Sequence, residues 1–107
     1  MSLRVVLHPA AERELKKIHK ERESFRRIVK AISDYAETGR GDVRVVASAK
    51  RQEETLLALR VGEWRIHFGV IGDTMYVVGM ERRPKAYQPW VLEAARRRLR
   101  ELGVELG

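Results

Sequence analysis

Between positions 60 and 87 fall Arg60, Arg65, His67, Arg82, Arg83, Lys85 and Tyr87, a set of residue types suited to handling phosphate. A guanidinium is planar, stays charged and offers paired donors to phosphate oxygens. A sheet surface that needed only solubility would mix both signs with Lys and Glu. His67 titrates near neutrality and can serve as acid or base, although a single strand histidine is as well suited to packing. Trp64 and Tyr87 interleave aromatic rings with these cations, an arrangement that can hold single-stranded nucleic acid by stacking. Trp64, beside a predicted hairpin turn, is better suited to capping the core.

Other chemistries are excluded or left without support. The chain has no cysteine, which removes disulfides, thiolate catalysis and cysteine-based zinc sites. His8, His19 and His67 are scattered without metal-ligand spacing, so neither a metal nor another cofactor is expected. The balance of 22 Lys and Arg against 15 Asp and Glu, a formal charge of +7, favours polyanionic partners. With no signal-like or bilayer-length apolar run, the expectation is a cytoplasmic protein without a membrane partner.

The elements that would position these groups follow from periodicity. Leu3–Leu7 reads as a strand closed by His8-Pro9, and Ala11, Leu15 and Ile18 then mark an amphipathic helix. Ser24 can cap a second helix whose stripe is Phe25, Ile28, Val29, Ile32 and Ala36, stopping at Thr38-Gly39. Val43–Val46 is a short strand or extended segment, followed by the irregular polar stretch 48–54. Three strand-like runs come next, Thr55–Val61, Trp64–Ile71 and Thr74–Arg82, joined by Gly62-Glu63 and Gly72-Asp73, two-residue turns with a leading glycine. Pro89 can open a last helix with Leu92, Ala95, Leu99 and Leu102 inward and Arg96, Arg97, Arg98 and Arg100 largely outward, ending near Gly103.

The predicted fold is therefore a single α+β domain over 1–107: an N-terminal strand, a two-helix hairpin, a three-stranded antiparallel meander forming one sheet, and a C-terminal helix. Strand alternation puts Ile66, Phe68 and Val70 on one face with Leu57, Leu59 and Val61. Arg60, Arg65 and His67 fall on the other face, predicted to be open and cationic. Arg82, Arg83, Lys85 and Tyr87 approach it from the exit around Pro84. The Arg96–Arg100 cluster reads as a solvated helix face.

The stretch Leu59-Arg60-Val61-Gly62-Glu63-Trp64-Arg65-Ile66 resembles the strand-turn-strand signature of the RelE/ParE toxin superfamily: Arg-Val-Gly, one residue, an aromatic, then Arg. His8-Pro9-Ala10-Ala11-Glu12-Arg13-Glu14-Leu15 resembles that family's entry into its first helix, and Arg83–Tyr87 its closing Arg-x-x-x-Tyr. With the element order, the resemblance covers nearly the whole chain. It implies the toxin of a type II toxin–antitoxin system, a metal-independent, ribosome-dependent endoribonuclease cutting mRNA in the A site. By the same resemblance Arg65 and Arg83 would stabilise phosphate charge, with Arg82 competing for the second place. Tyr87 would orient or deprotonate the attacking 2'-hydroxyl, the latter only if neighbouring cations stabilised its phenolate. Arg60, Lys50, Arg51, Lys85 and His67 are carried as RNA-binding candidates. Glu81 departs from the pattern, standing where many members carry a neutral or basic group. An acidic, partly disordered antitoxin is the expected partner. The alternatives are a ParE-like inhibitor of DNA gyrase without nuclease chemistry, and an inert module that binds nucleic acid or antitoxin.

Overall fold

In the computed structural model, residues 2–51 and 54–106 are described, with side chains through Gly103; Gln52 and Glu53 of the polar 48–54 stretch lie outside the described residues. The chain runs β1 (Arg4–Leu7), α1 (Pro9–Ile18), α2 (Arg22–Thr38), β2 (Val43–Ala47), β3 (Leu56–Val61), β4 (Trp64–Ile71), β5 (Thr74–Arg82), a 3-10 turn (Lys85–Tyr87) and α3 (Pro89–Leu106). The segment after α2 is a true strand paired antiparallel with β3, so the meander gains a fourth member. β1 closes the other side parallel to β5, giving one mixed sheet in the order β1-β5-β4-β3-β2.

Local chemistry accounts for the boundaries. Pro9 needs no hydrogen-bond partner in the first turn of α1, and His8 Nδ1 accepts from the Ala10 N–H at 3.0 Å. α2 begins two residues before Ser24, with Glu21 preceding it and making no side-chain cap bond. It ends on Gly39 at φ 74°, whose N–H returns to the Tyr35 carbonyl. Gly62 and Gly72 have φ near +60° and neither Glu63 nor Asp73 is left-handed, the pattern of two-residue hairpins that match strand twist. α3 continues through Gly103 to Leu106.

The sheet is covered on both sides. Ile28, Ile32 and Ala36 of α2 and Ala11 and Ile18 of α1 pack on Leu59, Val61, Ile66, Phe68, Met75, Val77 and Met80. On the opposite face Ala95, Leu99 and Leu102 of α3 pack on Leu56, Tyr76 and Val78. This corrects the expectation of an open cationic face. The apolar stripe of α3 required a partner surface, and Gly69 admits it: a Cβ there would stand 2.7 Å from both Leu99 methyls.

β5 carries a register shift opposite His67 and Phe68. Met75 and Val77 face the α1–α2 layer and Val78 faces α3, yet Met80 faces α1–α2 again. One extra residue has therefore been inserted, a β-bulge that rephases the rest of the strand. β1 stops opposite Val77, which leaves the following edge of β5 unpaired. Side chains from both helical layers supply the missing partners. Glu14 Oε1 of α1 accepts from the Met80 N–H at 3.1 Å, and Arg98 Nη1 of α3 donates to the Val78 carbonyl at 2.9 Å. The two meet at 3.6 Å. Arg98 is thus turned inward, unlike its expected outward neighbours Arg96, Arg97 and Arg100.

Candidate active site

β4 begins beside the Gly62-Glu63 turn, and its second residue, Arg65, points beneath the junction between β5 and α3. The residue is 3% exposed. Its Nε donates to Tyr87 Oη at 3.0 Å, and its Nη1 donates to the carbonyls of Gly62 at 2.8 Å and Trp64 at 2.9 Å. All three partners are neutral oxygens. The guanidinium is therefore solvated by dipoles while its charge stays uncompensated at contact range, a costly arrangement for burial alone and a favourable one for an incoming anion. Glu81 is opposite Arg65 in the β4–β5 ladder, but its carboxylate pairs with Lys85 at 3.8 Å.

Tyr87 closes the 3-10 turn, held by its N–H to the Pro84 carbonyl, and is 41% exposed. Because its oxygen accepts from Arg65, the phenolic proton is free to be donated outward. Arg83 is exposed, with its backbone N–H bound to the Glu63 carbonyl of the β3–β4 turn at 2.8 Å. Lys85 is exposed as well, its ammonium 5.4 Å from the ring centroid of Trp90.

The β5 bulge separates the two arginines that the sequence left in competition. Arg82 shares the α1–α2 face, where its guanidinium lies 4.9 Å from the Trp64 centroid and hydrogen-bonds Glu21. Arg83 follows at the exit of the strand, its backbone bound to Glu63 of the β3–β4 turn. Arg60 is exposed opposite Arg65 in the β3–β4 ladder and lies 4.0 Å from Asp42. Lys50 and Arg51 are exposed but precede β3 at the end remote from Arg65. From Leu56 to Arg60, the partner of Arg65, β3 alone spans about 13 Å at strand rise, so Lys50 and Arg51 stand away from the Arg65–Tyr87 pair.

His67 is not on an open surface: it is 1% exposed beneath α3. Its Nε2 makes no hydrogen bond, and burial first, then the nearby Arg98 charge, lowers its pKa to about 4, with the Ala86 backbone pulling the other way. The ring lines a cavity of about 70 Å³ together with Glu14, Glu81, Trp90 and Arg98. Burial also raises the Glu14 carboxyl above its ordinary range, opposed by the Met80 N–H and Arg98. A neutral, enclosed histidine is a packing group here, so exchange with a substrate in solvent is not its role. Sequence reasoning missed Glu14, Arg98 and Trp90. The signal for Trp90 was an aromatic at the second position of a helix, out of step with the apolar stripe.

No helix among the described residues is long and apolar enough to cross a membrane, and no group of three metal-ligating side chains occurs among them. No family model matches the sequence, and no curated protein matches it. Solved structures do match the fold. The archaeal RelE–RelB complex from Pyrococcus horikoshii OT3 contains a chain similar at TM-score 0.64 and 18% identity, over 80% of this chain and 100% of that one. The YoeB dimer from Staphylococcus aureus is similar at TM-score 0.62 and 13% identity, over 78% of this chain and 99% of that one. Helical hairpin, mixed five-stranded sheet and covering C-terminal helix thus form a RelE-like α+β fold.

Proposed function

We propose that this chain is the toxin of a toxin–antitoxin pair and acts as a metal-independent endoribonuclease on mRNA being translated in the ribosomal A site. The observation that carries the reading is the buried Arg65 donating to the exposed Tyr87 hydroxyl, at the end of a segment that also exposes Arg83 and Lys85. The fold shared with RelE of a RelE–RelB complex supports the toxin class and an antitoxin partner. A formal charge of +7 suits both RNA and an acidic antitoxin segment.

The chemistry needs only the substrate's own nucleophile. The 2'-oxygen attacks the adjacent phosphorus, the bond from phosphorus to the 5'-oxygen breaks, and a 2',3'-cyclic phosphate and a 5'-hydroxyl result. The 2'-hydroxyl gives its proton to solvent. Tyr87, whose oxygen is already acceptor to Arg65, would give its proton to the departing 5'-oxygen. Arg83 would bind the non-bridging oxygens as charge builds on them, and fixed donors of this kind commonly dominate catalysis. Arg65 acts through Tyr87 and through its field, a positioning role in place of the direct phosphate contact that the sequence suggested.

Primer extension on mRNA from a cell-free translation system tests the reading. Cleavage within codons of translated message only is expected, with Tyr87→Phe reducing the rate about 100-fold or more. Intact message would overturn the nuclease reading, and accumulation of gyrase–DNA cleavage complexes in its place would establish the ParE-like alternative.

A further inference from the structure

Trp90 is 60% exposed at the start of α3, and with Tyr87 it leaves two large aromatic rings in water at this junction. It does not belong to the core-facing stripe of α3, which runs through Val91, Ala95, Leu99 and Leu102. Its ring centroid lies 5.4 Å from the Lys85 ammonium, at the rim of the small cavity that also touches His67. Tyr87, also exposed, is three residues away across the junction between the 3-10 turn and α3. A chain of contacts joins them: Trp90 to Lys85, Lys85 to Glu81, Glu81 opposite Arg65, and Arg65 to Tyr87.

We propose that Trp90 is a stacking platform for one base of single-stranded RNA, adjacent to the phosphate presented to Tyr87, with Lys85 meeting the intervening backbone. This rests on the nuclease reading and adds a substrate subsite to it. An indole carries the largest aromatic face available to a side chain, and a cation beside the ring adds the backbone attraction that stacking lacks. Stacking tolerates every base, so the subsite grips RNA without fixing its sequence. It contributes to binding substrate and transition state alike, so its loss raises the half-saturating concentration and leaves the maximal rate in place.

The experiment is the concentration dependence of cleavage of one translated message, for the wild type, Trp90→Ala, Trp90→Phe and Tyr87→Phe, each checked by thermal melting. Trp90→Ala is expected to raise the half-saturating concentration about 5- to 150-fold at an unchanged maximal rate. Trp90→Phe recovers most of the loss, and Tyr87→Phe lowers the maximal rate instead. Wild-type saturation in a normally melting Trp90→Ala variant would overturn the subsite while sparing the nuclease reading. A fall in maximal rate alone would overturn it too. A wild type that cleaves nothing removes both.

Discussion

The buried side chains Arg65 and His67 share one strand face and have opposite electrostatic solutions. Arg65 keeps its charge by collecting carbonyls and a phenol, whereas His67 gives its charge up. Since the unfolded histidine titrates near 6.5 and the folded one near 4, the unfolded state binds the additional proton between those values. The His67 contribution to stability is therefore full above pH 6.5 and is lost as pH falls towards 4, up to about 3 kcal/mol. Glu14, raised by burial, works in the opposite direction as pH climbs above its unfolded value of 4.5, so the histidine is isolated by difference. Urea unfolding of wild type and His67→Gln across this range should show a pH-dependent gap that closes at the acid end. A constant gap would mean that the ring takes up its proton in the fold as readily as in the unfolded chain. Positions 65, 83 and 87 could be singled out from the sequence, because the turn signature and the Arg-x-x-x-Tyr spacing are local, and the structure brings Arg65 and Tyr87 into contact. The burial of Arg65 was not. Whether an arginine on a strand faces water depends on a helix that arrives more than twenty residues later.

At the level of elements, the α3 stripe was readable from helical periodicity, but periodicity shows that a helix has an apolar side without saying which sheet face receives it. The β5 bulge was likewise hidden. Met75, Tyr76, Val77 and Val78 are buried in succession, so alternation carries no phase and the competition between Arg82 and Arg83 stayed open. The clamp from Glu14 and Arg98 fixes that phase by satisfying the edge of β5. Arg98→Met, which keeps the stem and removes the donor, should cost about 1–3 kcal/mol in chemical denaturation, because it leaves the Val78 carbonyl unpaired. Gly69→Ala should cost a similar amount by pressing a methyl into the fully buried Leu99. Leu99→Val in the same chain should return part of that loss; a double variant no more stable than Gly69→Ala would place the cause elsewhere than this contact.

For the whole molecule, basic side chains are carried by both helical layers and by the strands, and eight of them pair with acids among the described residues. Association with single-stranded RNA should weaken linearly in log affinity against log salt, with a slope near 0.7 for each phosphate neutralised. Arg83→Ala should reduce that slope by about 0.7, while Trp90→Ala should leave it unchanged. Equal slopes for the wild type and Arg83→Ala would remove Arg83 from the phosphate contacts. The parallel pairing of β1 with β5, Arg4 opposite Thr74, also governs when this molecule comes into being. The first strand to leave a ribosome has no neighbour until the last strand has followed it, and the residues proposed to act, Arg83 and Tyr87, emerge later still. Non-local closure of this kind is slow and comes late in folding. The edge that β1 closes and the contact between Arg65 and Tyr87 therefore form only after the greater part of the described chain has been made.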